Sequence, residues 1–118
     1  MVNFFYTLLK TAVIIAVIDA VWLLLNGSSF KNMIEHIQGA PIQLRYGSMI
    51  LLYIALAYML LQTRSYTEAA LFGFCIYAVY DLTNYSIFRH YDIMLALMDM
   101  AWGAVLFVIS RYAVKKYL

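Results

Sequence analysis

The chain has 118 residues, of which 66% are hydrophobic and only 12% are charged, whereas about a quarter of the residues in a soluble domain are charged. Together with a mean hydropathy of +0.83, this composition predicts a single domain, residues 1–118, that lies in a lipid bilayer. The net charge of +2 contains no basic run longer than Lys115-Lys116, which argues against a nucleic-acid partner.

Four apolar segments are long enough to cross a hydrocarbon core, which takes about 20 residues per helix. Asn26-Gly27-Ser28-Ser29 is expected to end the first helix, and Pro41 precedes the second. Because the later connections are short, neighbouring helices must run in opposite directions. We therefore predict an all-α integral membrane protein, a four-helix antiparallel bundle, with transmembrane helices at 4–25, 44–61, 69–88 and 93–112.

The connection between the first and second helices is longer than the others. It contains apolar residues at helical spacing between polar ones, namely Phe30, Met33, Ile34 and Ile37. This pattern is typical of a helix that lies flat at the membrane interface. We predict a short interfacial segment here, with a polar loop as the alternative.

The distribution of basic residues predicts the orientation in the membrane. An even number of spans places both termini on one side, and five basic residues fall on that side against three on the other. They are Lys10, Arg64, Arg111, Lys115 and Lys116, against Lys31, Arg45 and Arg89. The positive-inside rule therefore predicts a multi-pass protein with cytoplasmic termini. The lipid bilayer is the expected partner, and a unit of this size could also form a homo-oligomer.

Three acidic residues, Asp19, Asp81 and Asp99, stand inside the predicted membrane helices. A charge at the bilayer centre costs roughly 2.5–3.5 kcal/mol, so such residues are functional candidates. At about 1.5 Å per residue, each lies roughly 9–10 Å below the same membrane face. We therefore predict that the three carboxylates form one polar pocket that opens toward the non-cytoplasmic side.

A hydrogen-bond donor follows each of these aspartates at a spacing of three residues. The segments are Asp19-Ala-Val-Trp22, Asp81-Leu-Thr-Asn84 and Asp99-Met-Ala-Trp102. Residues three apart share a helical face, and indole N–H or amide groups can donate to carboxylates. Trp22, Asn84 and Trp102 are therefore predicted to belong to the site and to orient its acids.

Three further residues are predicted to support this site. Tyr77 lies one turn before Asp81, Arg45 could provide a counter-charge at the mouth of the second helix, and Gly103 would allow another helix to approach closely. His36 and His90 have no metal-ligating neighbour three or four residues away. No metal site and no cofactor are therefore expected.

The segments Tyr80-Asp81-Leu82-Thr83-Asn84 and Asp99-Met-Ala-Trp102-Gly103, with Asp19-x-x-Trp22 before them, also carry a resemblance. The chain resembles domain-of-unknown-function family 2177, a family of small predicted membrane proteins, over nearly its whole length. The resemblance implies a membrane-embedded fold and supports the choice of site. The family has no assigned activity, so the resemblance implies no particular function.

Three functional hypotheses follow from these residues. The first is a carboxylate pocket that binds a proton or a cation during ion or small-solute transport, because three nearby carboxylates at low dielectric are not expected to be ionised together. The second is a membrane-embedded enzyme that acts on a lipid, with one aspartate as general acid or base. The third is a non-catalytic assembly or accessory subunit whose acids only join helices.

Overall fold

The described part of the protein consists of helices and short connections. The computed structural model describes residues 2–118, with side chains from residue 3 onward. Its helices are α1 (Val2–Gln38), α2 (Tyr46–Leu61), α3 (Tyr66–Ile87) and α4 (Ile93–Tyr117). The prediction of an all-α chain with four helices is confirmed. Helices suit a lipid environment because each satisfies its own backbone hydrogen bonds.

Two of the four helices are long and apolar enough to cross a membrane, namely Asn3–Gln38 and α4. α2 is apolar but has only 16 residues, and α3 carries Glu68, Asp81 and several polar side chains along its length. The four-span arrangement therefore stays a prediction.

α1 is longer than the sequence predicted. The expected turn at Asn26-Gly27-Ser28-Ser29 is wrong, because α1 continues through it to Gln38, and the predicted interfacial segment is part of this helix. Gly and Ser each cost about 1 kcal/mol or less in a helix interior, so they do not have to end it. The helix ends at Gln38 and is followed by Gly39, whose φ of +69° is the left-handed conformation common just after helix C-termini.

The last part of α1, residues 28–38, is called the α1 extension below and packs against the α3–α4 turn. The Asp92 backbone N–H donates to the Met33 sulfur at 3.1 Å. The His36 and His90 rings meet edge to face with their centroids 5.1 Å apart. These contacts explain why the extension remains helical and does not form a separate loop.

α3 and α4 make the closest helix contact in the described structure. Gly73 and Gly103 face each other, and a Cβ atom on Gly73 would overlap the Gly103 carbonyl group. Glycine pairs of this kind let helix backbones touch in a membrane. The surrounding core is apolar and includes residues from all four helices: Leu8, Ala12, Ile15, Leu56, Ala57, Leu60, Ala69, Leu106 and Phe107.

Candidate functional site

Asp19, Asp81 and Asp99 lie close together inside the bundle and are called the carboxylate cluster below. Asp81 has no exposed surface, and Asp19 and Asp99 are each only 7% exposed. The carboxyl group of Asp99 lies beside that of Asp81 and within electrostatic range of Asp19. Because α1, α3 and α4 each contribute one acid, the cluster exists only when these helices are packed together.

The two tryptophans connect α1 and α4 through crossed hydrogen bonds. Trp22 Nε1 donates to Asp99 Oδ1 at 3.1 Å, and Trp102 Nε1 donates to Asp19 Oδ1 at 2.8 Å. Their indole rings stack with centroids 5.3 Å apart and planes 5° apart. The Asp-x-x-Trp spacing turns both residues of each helix toward the interface. Each indole then donates to the carboxylate of the facing helix and not to the one in its own helix.

Two tyrosines, which the sequence did not single out, also donate to the cluster. Tyr53 Oη from α2 donates to Asp19 Oδ2 at 2.6 Å, and Tyr91 Oη from the α3–α4 turn donates to Asp81 Oδ1 at 2.9 Å. Burial raises the pKa of the Tyr91 hydroxyl, which therefore remains a donor at neutral pH. Nothing in the sequence distinguishes these two among eleven tyrosines.

The remaining predicted site residues have different positions. Tyr77 is half-buried, and its ring lies against Gly103. Asn84 is half-buried and lines a neighbouring cleft. Arg45 is exposed just before α2, while the hydrogen bonds described for the cluster come from indole and phenol groups. The structure therefore gives no support to Arg45 as a counter-charge.

The sequence matches a known protein family over most of its length. The family described as "Predicted membrane protein (DUF2177)" matches residues 4–114, which include the complete carboxylate cluster. The chain belongs to this family. No curated protein and no solved structure gives a significant match. The predicted family is thus confirmed, and DUF2177 is a family of predicted membrane proteins of unknown function.

A cleft of about 330 Å³ lies beside the carboxylate cluster of this DUF2177 member. Its lining residues come from the α1 extension, the end of α3 and the following turn: Ile34, Ile37, Gln38, Tyr80, Asn84, Phe88 and Tyr91. Tyr91 both lines the cleft and donates to Asp81. The side chain of Tyr91 therefore lies between the cleft and Asp81.

The second oxygen of Asp81 has an unusual environment. Asp81 Oδ2 is buried and has no hydrogen-bond partner among the described residues. Burying a polar atom without a partner costs about 1–3 kcal/mol, and a charged atom costs more. A protonated carboxyl group can donate to a neighbouring carboxylate. Since the carboxyl group of Asp99 is adjacent, the Asp81–Asp99 pair of this DUF2177 protein can hold one proton between two acids.

A metal ion is a poorer fit to this cluster of the DUF2177 chain. In the described part of the chain, no three His, Cys, Asp or Glu side chains converge as metal ligands. Both oxygens of Asp19 already accept hydrogen bonds, from Trp102 and Tyr53. The donors around the cluster are therefore arranged for hydrogen bonding.

Proposed function

We propose that this protein is a four-span membrane protein whose carboxylate cluster binds and releases protons during the movement of an ion or small solute. The observation that carries the proposal is the burial of three neighbouring carboxyl groups beside neutral donors. A buried carboxylate without a cationic partner is costly. A proton is the simplest positive charge that the cluster can take up.

The proposed topology has four antiparallel spans with cytoplasmic termini. Trp22 of α1 bonds to Asp99 of α4, and Asp19 of α1 bonds to Trp102 of α4. Residue numbers therefore decrease along α1 in the direction in which they increase along α4, which supports opposite helix directions. α2 would be about 24 Å long and α3 about 33 Å at 1.5 Å per residue. The short α2 would require local thinning of the bilayer, which costs little.

Single cysteines introduced in a Cys75→Ser background would test this topology. Asn32 in the α1 extension and Gln62 after α2 are both exposed. We expect Asn32→Cys to react with a membrane-impermeant maleimide from outside intact cells. Gln62→Cys should react only after the membrane is opened. Reaction of both from the same side would contradict the four-span topology.

Proton handling is tested by Asp81→Asn, which keeps the side-chain volume but removes the titratable group. In vesicles that contain a pH-sensitive dye, we expect this variant to lose the proton flux of the wild-type protein. Its infrared spectrum should also lose a band from a protonated carboxyl group. Asp92→Asn is the matched control, because Asp92 is exposed, lies outside the cluster and caps α4, a role that Asn can also fill.

A second candidate function is favoured by the crossed Trp–Asp bonds, which join α1 to α4. In an assembly or accessory subunit, the acids would act only as acceptors that hold helices together, and Asn would replace Asp81 without consequence. Wild-type flux and an unchanged infrared band in Asp81→Asn would therefore reject the proton-handling proposal and favour this alternative.

A further inference from the structure

Two buried hydroxyl groups lie outside the carboxylate cluster. Thr11 on α1 and Ser110 on α4 have no exposed surface. Thr11 Oγ1 and Ser110 Oγ have no hydrogen-bond partner among the described residues. Serine and threonine in helices commonly bond to a carbonyl of the preceding turn. Two buried hydroxyls that lack a partner in the described part of the chain therefore call for another explanation.

The register of the α1–α4 interface relates these hydroxyls to the cluster. It is set by two hydrogen bonds, Trp22 to Asp99 and Trp102 to Asp19. Thr11 lies eight residues before Asp19, and Ser110 lies eight residues after Trp102. In antiparallel helices with this register, Thr11 and Ser110 are therefore at the same level. At about 1.5 Å per residue, this hydroxyl pair lies roughly 12 Å from the carboxylate layer.

An apolar layer separates the two polar layers. Halfway between them the same register brings Ile15 level with Leu106, and neither side chain has any exposed surface. Both belong to the hydrophobic core. Water is excluded from a closely packed apolar layer, so a proton on the carboxylate cluster cannot pass this level in the described conformation.

The polar layer formed by the hydroxyl pair continues toward the other end of α4. Ser110 is followed by Arg111, whose Nη1 donates to the Thr63 carbonyl oxygen at 2.6 Å and whose Nε is buried without a partner among the described residues. Hydroxyl groups donate and accept hydrogen bonds, so they can bind a water molecule that passes a proton on. Buried polar groups without protein partners are the usual places where proteins bind water.

We infer that the α1–α4 interface is a closed proton path, with Ile15 and Leu106 as its barrier and Thr11 and Ser110 as a water-binding step beyond it. This inference rests on the proposed proton-handling function. Protons would enter from the cleft through Tyr91, reside on the carboxylate cluster and cross the barrier only when α1 and α4 separate. The path would leave the protein near Thr63 and Arg111.

The register is tested first, by cross-linking. In a Cys75→Ser background, Thr11→Cys combined with Ser110→Cys should form a disulfide on oxidation, which requires Cα atoms within about 7 Å. Val13→Cys combined with Ser110→Cys is the control, because Val13 is exposed on the other face of α1. A disulfide in the control pair alone would overturn the register and the inference with it. The absence of a disulfide in both pairs would do the same.

The barrier is tested by proton leak into vesicles that contain a pH-sensitive dye. We expect Ile15→Ser to raise the leak about tenfold or more, which corresponds to a barrier lower by about 1.4 kcal/mol. The control Val13→Ser should leave it unchanged. Adding Thr11→Val, or Asp81→Asn, to Ile15→Ser should reduce the leak again, because each removes one polar step of the path.

The outcomes separate this inference from the proposed function. If Ile15→Ser does not leak while Asp81→Asn still loses the infrared band and the flux, the carboxylate cluster handles protons but the barrier is elsewhere. A leak in Ile15→Ser that persists with Thr11→Val and Asp81→Asn would be a packing defect and would also overturn the path. A separate result would reject the proposed function itself, namely an Asp81→Asn variant with the proton flux and infrared spectrum of the wild-type protein.

Discussion

Gly73→Ala is expected to destabilise the protein by about 3 kcal/mol or more, because the new methyl group would overlap the Gly103 carbonyl group on α4. A backbone atom cannot move aside as a flexible side chain can. The two helices would therefore have to separate along their length. The midpoint of unfolding by SDS in mixed micelles measures the effect.

Gly27→Ala is the matched control for this prediction. Nothing lies within 4 Å of the position where its Cβ would be, and Gly27 lies inside α1. Alanine is favoured over glycine in a helix interior by about 1 kcal/mol, so this variant should be slightly more stable than the wild-type protein. Equal unfolding midpoints for Gly73→Ala and Gly27→Ala would show that the α3–α4 contact is not as close as described.

The second large effect is expected for Asp19→Ala, with a loss of about 2–4 kcal/mol. Asp19 accepts from Trp102 of α4 and from Tyr53 of α2. The substitution leaves two donors without an acceptor, each costing about 1–3 kcal/mol if it stays buried. Unfolding midpoints in the same micelles provide the measurement.

Trp102→Phe distinguishes the contribution of the Trp102–Asp19 hydrogen bond to stability from that of aromatic packing. Phenylalanine keeps an aromatic ring against Trp22 but removes the indole N–H, so a smaller loss than for Asp19→Ala is expected. The double variant should lose less than the sum of the two single losses, because both remove the same bond. Strict additivity would mean that the Trp102–Asp19 bond contributes nothing to stability.

Helix content and the candidate acids were accessible from the sequence. Long apolar runs reveal helices in lipid, and an aspartate within such a run is conspicuous because its burial is costly. α2, α3 and α4 begin within three residues of their predicted starts. These features depend on local composition, which a single sequence contains in full.

The length of α1 depends on contacts that a local pattern does not contain. Gly27 and Ser28 are residue types common in turns, so the local sequence predicts that the helix ends there. The described helix is continued by the packing of Met33 and His36 against the α3–α4 turn. Tertiary contacts of this kind outweigh helix propensities of about 1 kcal/mol.

The partners of the acids were hidden for a similar reason. Which donor reaches which carboxylate depends on the relative height and rotation of two helices, and the sequence of either helix alone does not specify these. The indoles could be noticed from their spacing, although not their crossing to the other helix. Tyr53 lies 34 residues and Tyr91 ten residues from its acceptor, and neither spacing belongs to a motif.

The stacked indoles give this protein an intrinsic spectroscopic probe of the carboxylate cluster. The chain has only two tryptophans, and both donate to the carboxylate cluster while lying ring upon ring. All indole fluorescence therefore originates at the cluster, and exciton coupling between the two rings should give a paired signal in circular dichroism. Changes in the charge of the acids, or separation of α1 from α4, can be followed in the unlabelled protein by light alone.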